Sequence, residues 1–314
     1  MQISRTPASR CVLYIVIIYS LFIFFLLLIK FTPENSPKIC KISGSRGHFQ
    51  RQKALVLPKI FLITATYNRL EQTAELTRLC HTFLHVPNIH WLVIEDATNI
   101  SSKVSKLLGR CGVPFTLLHA KTPAAEVQRP EEPRWRHARG VAQRNRGLRW
   151  LRENLVQNQD KGVVYMADDD NTYSLQLFDE IRTTKRVSTW PVAFVGGLPW
   201  EGCVTKPDEP HVIERMWSIF KPWRVFPVDM AGFAVNLDLI LSHPTAEFVY
   251  HKKPGLLETE FLKQLGLRNF TEMEPKADGC KRILVWHTQT KSPELYFTQS
   301  HLSGNVPELF PNEI

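Results

Sequence analysis

Residues 59–97 read "KIFLITATYNRLEQTAELTRLCHTFLHVPNIHWLVIEDA". Two β-rich apolar runs, 59–67 and 89–97, each end in polar residues, and between them the apolar positions of 69–86 recur at helical spacing. This is a β–α–β unit, which sets two strands side by side in parallel under a covering helix. Outward from it, "SSKVSKLLGRCG" (101–112) predicts a short helix with a glycine stop, and "VPFTLLHA" (113–120) a third strand. "RGVAQRNRGLRWLREN" (139–154) reads as a basic helix, "KGVVYMADDD" (161–170) as the fourth strand, and "SLQLFDEIRTT" (174–184) as a helix. A strand at "VAFVGGLP" (192–199), a helix at "GLLETEFLKQL" (255–265) and a strand at "RILVWHTQT" (282–290) complete the pattern. The chain is therefore α/β, with a mostly parallel sheet and flanking helices. Open sheets of this kind bind ligands at the carboxyl ends of their strands, so Tyr67, Asp96 and the triplet Asp168, Asp169, Asp170 are the polar residues to follow. No G-x-G-x-x-G follows the first strand, which disfavours a dinucleotide fold.

Three adjacent carboxylates repel one another and resist leaving water. A positive partner must offset them, and a bound divalent ion is the leading candidate. Carboxylate oxygens suit Mg²⁺ or Mn²⁺, which also bridge phosphate oxygens. Strand alternation turns Asp168 and Asp170 one way and Asp169 the other, unless the strand has already bent. The alternative is a solvated acidic turn.

The 314 residues carry a formal charge of +9. The cations are scattered apart from a knot at 134–152, and no nucleic-acid-binding signature appears, so an acidic substrate or membrane face explains the charge better than nucleic acid. Residues 11–29, "CVLYIVIIYSLFIFFLLLI", hold no charge and rise about 28 Å as a helix, the thickness of bilayer hydrocarbon. No small-x-small cleavage site follows, so an uncleaved anchor is expected. Arg5 and Arg10 precede it and only Lys30 closely follows, which favours a cytoplasmic tail (1–10) and a lumenal body. Residues 30–57 read as a stem, and 58–314 as the folded domain. The sequons at Asn99 and Asn269 would be usable in a lumen. Of six cysteines none forms C-x-x-C, which argues against structural zinc; Cys40 could join two chains, and one or two internal bridges are open.

"TYNRLEQTAEL", "RGVAQRN", "ADDDNTYS", "VDMAGFAV" and "VWHTQT", in that order behind an anchor, resemble the β-1,3-glucuronosyltransferases, glycosyltransferase family 43, over about residues 59–300. The resemblance implies a GT-A-type fold, a homodimer and Mn²⁺-dependent transfer of glucuronate from UDP-glucuronate to a terminal galactose, with inversion. It implies a nucleotide-donor half (58–170) and an acceptor half (171–314). Tyr67 would stack on uracil and Asp96 hydrogen-bond its edge. Asp170 would be the metal ligand, with Asp169 at the ribose and Asp168 at the donor sugar. Arg139 would lie near the nucleotide and Arg144 near the sugar; Arg146, Arg149 and Arg152 read as a solvated helix face. Glu258 matches the catalytic base and His287 the residue that closes over the donor. Glu201, Arg224 and Asp229 fall where the acceptor galactose is held, with Trp200, Phe220 and Trp223 nearby as an aromatic platform.

One departure stands out: the family pattern H-T-R-T is H-T-Q-T here, so a charged phosphate contact is lost at Gln289, with Lys291 the nearest substitute. The expected activity is glucuronate transfer to the 3-hydroxyl of a terminal β-galactose, on the Gal-Gal-Xyl linkage region of proteoglycans, by a type II Golgi membrane protein. The alternatives are an N-acetyllactosamine acceptor, an altered donor sugar, and a non-catalytic lumenal lectin or scaffold.

Overall fold

The computed structural model describes residues 57–129, 131–132, 137–250, 255–288 and 290–291. The expected tail, anchor and stem up to residue 56, with Cys11, Cys40 and Gln289, lie outside the described residues. Among the described residues no helix is long and apolar enough to cross a membrane.

Among the described residues the strands are β1 (Lys59–Thr66), β2 (Ile89–Glu95), β3 (Phe115–His119), β4 (Gly162–Met166), β5 (Thr172–Tyr173), β6 (Val187–Thr189), β7 (Val192–Ala193), β8 (Trp200–Thr205), β9 (Ile213–Trp217), β10 (Phe233–Asn236), β11 (Glu274–Pro275) and β12 (Val285–Trp286). The longer helices are α1 (Gln72–Phe83), α2 (Ser102–Cys111), α3 (Val141–Asn154), α4 (Leu175–Ile181), α5 (Leu237–Ser242) and α6 (Leu257–Gln264). Seven strands form the main sheet in the order β11-β6-β10-β4-β1-β2-β3, with β1 to β4 mutually parallel and β10 antiparallel to its neighbours. The sheet is thus mixed and mostly parallel, as the β–α–β reading requires. Of the strands of residues 171–314, β6, β10 and β11 extend the same sheet through β4, so the two expected halves share this sheet. A smaller sheet, β5-β12-β7-β8-β9, stands beside it.

The core follows from alternation. Ile60 and Leu62 of β1, with Trp91 and Val93 of β2, face α1, α2 and α4; Phe61 and Ile63, with Leu92 and Ile94, face α3, α5 and α6. Each such buried side chain contributes about 1.5–3 kcal/mol of apolar burial. Gly147 lets α3 approach β1: a Cβ there would sit 2.9 Å from Ile63 Cγ2. Ser101 caps α2 by accepting from Val104 N, and Gly112 ends it in the left-handed region.

Three boundaries differ from expectation. The strand expected at 161–170 stops at Met166, and the aspartates lie in the turn beyond it. The strand expected at 192–199 shrinks to β7, because Phe194, Gly196 and Gly197 all take positive φ and turn the chain. The strand expected at 282–290 is only β12. Four of the cysteines pair, Cys80 with Cys111 and Cys203 with Cys280.

Candidate active site

Because β4 ends early, the three aspartates do not alternate. They separate by partner. Asp168 Oδ1 lies 2.6 Å from Arg144 Nη2. Asp169 is buried, accepts from Thr66 Oγ1 at 2.7 Å and lies 2.8 Å from Arg69 Nη2. Asp170 has no side-chain partner among the described residues, and its carbonyl accepts from Thr288 Oγ1 at 2.7 Å. The counter-charge expected from a metal is therefore supplied to two of the three by arginines. Asp169 meets Arg69 and Thr66, where the guanidinium and the hydroxyl offset its desolvated carboxyl. Burial pushes its carboxyl up to about 6 against the opposing pull of Arg69.

Asp170 fits a hard divalent ion: it is a half-buried carboxylate with no side-chain partner among the described residues, at the carboxyl end of a central strand. Among the described residues no three His, Cys, Asp or Glu converge on one point, so oxygens from a ligand and from water would have to complete a shell there.

At the ends of β1 and β2 the chain presents Tyr67 and Asp96. Tyr67 is 48% exposed, and the Arg69 guanidinium covers one ring face at 4.5 Å from the centroid, leaving the other face available for stacking. Asp96 accepts from Thr122 N at 2.9 Å and Thr122 Oγ1 at 2.6 Å, and lies 3.3 Å from Lys121. Glu95 takes the local structural duty instead, accepting from Ser101 N and Oγ. Asp96 is thereby oriented while remaining accessible.

Gly140, with φ +72, opens α3; a Cβ there would sit 2.5 Å from Arg144 Nη1, so only glycine leaves room for that guanidinium. Arg144 Nη1 donates to the Arg139 carbonyl at 2.8 Å, while Arg139 itself precedes the helix and is exposed. Burial pulls the Arg144 pKa down, and Asp168 first, then Glu258 and Asp229, more than reverse it. Arg152 is not part of a solvated face: it donates to the His243 and Ala246 carbonyls and ties α3 to the chain after α5.

Glu258 lies in the first turn of α6. Burial, and next the neighbouring Asp229 carboxylate, push it up to about 7 despite Arg224 and Arg144. Burial likewise raises Asp229, which His287 most strongly opposes. The His287 Nδ1 atom is itself buried with no hydrogen-bond partner among the described residues. Asp229 also caps a short 3₁₀ turn by accepting from Ala231 N at 2.9 Å. Arg144, Asp168, Asp229, Glu258 and His287 thus share one electrostatic neighbourhood, with Asp229 nearer the base than an acceptor-only place implies.

Glu201 and Arg224 are both buried and face each other at 3.4 Å; Ser218 Oγ donates to Glu201 at 2.6 Å. Phe220 lies beside them with Arg224 5.6 Å from its ring centroid. Gly255 makes room for it: a Cβ there would fall 2.3 Å from Phe220 Cε1. Trp200 departs from the expected platform. It precedes Glu201 on β8, so alternation turns it to the other face, where it meets Trp217 at 6.3 Å. Trp223 is exposed.

Sequence reasoning missed Arg69, Thr66, Thr122, Ser218 and Thr288. Arg69 lay inside a quoted motif, but nothing local shows that it reaches a residue a hundred positions away.

Residues 79–291 match the family model described as glycosyltransferase family 43. The chain is 48% identical over 241 residues to human galactosylgalactosylxylosylprotein 3-beta-glucuronosyltransferase 1, covering 76% of this chain and 71% of that protein. It is 42% identical over 238 residues to the Caenorhabditis elegans galactosylgalactosylxylosylprotein 3-beta-glucuronosyltransferase sqv-8, covering 76% and 66%. Among solved structures, S. aureus TarS 1-349 in complex with UDP-GlcNAc aligns with a TM-score of 0.45 and 13% identity over 75% of this chain and 60% of that one.

Proposed function

The chain belongs to glycosyltransferase family 43, and on that premise we propose that it moves glucuronate from UDP-glucuronate to the 3-hydroxyl of a terminal β-galactose on the Gal-Gal-Xyl linkage region. The observation that carries this reading is Glu258: a carboxylate held near neutrality, among Arg144, Asp229 and Arg224, at the start of a helix. A general base works best with a pKa near the operating pH. As the acceptor oxygen bonds to C1, its proton passes to Glu258; the C1–O bond to the diphosphate breaks with its electron pair, and UDP leaves from the opposite face. Tyr67 and Asp96 would hold uracil, Arg139 the nucleotide, Arg144 and Asp168 the donor sugar, and His287 the closing edge of the donor. Glu201 and Arg224, with Ser218 and Phe220, would hold the galactose. A divalent ion on Asp170, Mn²⁺ by family likeness, would offset charge on the departing diphosphate.

The same reading includes a GT-A-type assignment of the sheet, a homodimer, an N-terminal anchor and a lumenal Golgi location. Two disulfides favour an oxidising compartment. The test offers the full chain a panel of UDP-sugars with Mn²⁺ and galactose-ended acceptors. Transfer from UDP-glucuronate to Gal-Gal-Xyl is expected. Preference for UDP-glucose or UDP-N-acetylglucosamine would overturn the donor, preference for N-acetyllactosamine the acceptor, and glycan binding without transfer the enzyme itself.

A further inference from the structure

Arg69 touches both halves of the donor region at once. Its Nη1 donates to the Tyr67 carbonyl at 3.3 Å, and its guanidinium lies over the Tyr67 ring. Its Nη2 meets Glu75, which is buried in α1, and Asp169 at 2.8 Å. Thr66 Oγ1, the last residue of β1, donates to the other Asp169 oxygen and receives the Gln72 amide at 3.2 Å. The aromatic ring that ends β1, the start of α1 and the turn after β4 are therefore joined through one planar fork. That turn carries Asp170, whose own side chain is pinned by none of these groups and whose position follows its neighbours.

We propose that Arg69 is a positioning residue that couples nucleobase stacking on Tyr67 to metal use at Asp170. A base on the open face of Tyr67 restricts the ring; the restricted ring fixes the guanidinium against its other face; the fixed guanidinium holds Asp169, and with it the turn that bears Asp170. Ordering one end lowers the cost of ordering the other, which is positive cooperativity between two parts of one ligand. A guanidinium suits this place because it is flat enough to stack and forked enough to bind two carboxylates, which an ammonium group is not. The proposal rests on the UDP-sugar reading above.

The test measures binding rather than turnover. Uridine, and UDP with and without Mn²⁺, are titrated against the full chain, the Asp169→Asn variant, the Arg69→Gln variant and the Arg69→Ala/Asp169→Asn double variant. The double variant removes the Arg69–Asp169 pair and leaves Glu75 as a single buried carboxylate, so it remains informative if Arg69→Gln, which leaves two carboxylates facing each other, fails to fold. For the unsubstituted chain Mn²⁺ is expected to tighten UDP by at least about fivefold. Both Arg69 variants are expected to weaken uridine several-fold and to lose most of the Mn²⁺ gain. Asp169→Asn, which leaves the Arg69–Tyr67 contact in place, is expected to lose most of the Mn²⁺ gain. A role confined to stability would lower the melting temperature and leave the gain intact. Retention of the gain in the double variant overturns the coupling, whatever happens to uridine. Failure of the unsubstituted chain to bind UDP more tightly with Mn²⁺ would instead sink the donor reading, and the proposal with it.

Discussion

At the scale of single residues, Glu258 sets the sharpest expectations. Replacing it with glutamine should lower transfer by about 10²–10⁴-fold while leaving Mn²⁺-dependent UDP binding unchanged; equal loss of both would assign it to donor binding. Because the base must be ionised, the rate should rise through pH about 7 and level off above it. Stability should move the opposite way. Between the ordinary glutamate pKa of about 4.3 and about 7, the unfolded chain has released this proton and the folded chain has kept it, so folding binds a proton and weakens as pH rises. The stability advantage of Glu258→Gln over the parent should therefore grow from pH 4 to pH 8, as followed by thermal melts; a constant difference would mean that the residue is not held protonated in the fold. The aspartate triplet shows how far residues alone can be read. Their place after a buried strand and their need for positive charge were legible in "VVYMADDD". The division of that charge among Arg144, Arg69 and an open Asp170 was not, since it depends on where β4 stops and on arginines brought in by other elements.

At the scale of elements, β1, β2 and the helix between them were located closely, because a strand buried on both faces reads as a short continuous apolar run and an amphipathic helix repeats its apolar residues on the helical period. Short strands such as β7 and β12 were not legible: two residues hold no period, and the glycine-rich bend after Ala193 looks locally like continued strand. The helices α1 and α2 leave the carboxyl edge of the sheet and run back, so the Cys80–Cys111 bond joins their far ends, on the side away from the candidate site. Closing that loop of 31 residues stabilises the fold by about 3–4 kcal/mol on chain-entropy grounds. The paired change Cys80→Ser with Cys111→Ser should lower the melting temperature and leave UDP affinity unchanged; a loss of affinity would mean that the two ends of the helices are mechanically linked.

At the scale of the whole molecule, the +9 charge accords with an acidic donor and acidic products. In sealed vesicles from expressing cells, an epitope at the C-terminus should resist protease while one at the N-terminus is cut. A glycosidase should also shift the mobility of the chain, by an amount that Asn99→Gln and Asn269→Gln abolish together; protection of the N-terminus instead would reverse the orientation read from Arg5, Arg10 and Lys30. Both asparagines are exposed, and Asn269 Oδ1 accepts from Thr271 N at 2.9 Å. The α/β class, the parallel core strands, the helices that cover them and the set of polar residues at the strand ends follow from the order of residues alone, because apolar runs, helical periods and motif order are local features. Which aspartate lacks a side-chain partner among the described residues, which tryptophan turns away from Glu201, and that Arg69 bridges Tyr67 to the turn after β4 emerge only once the chain is folded. Those outcomes depend on distances between residues far apart in the chain, and such distances are set by packing rather than by any local preference.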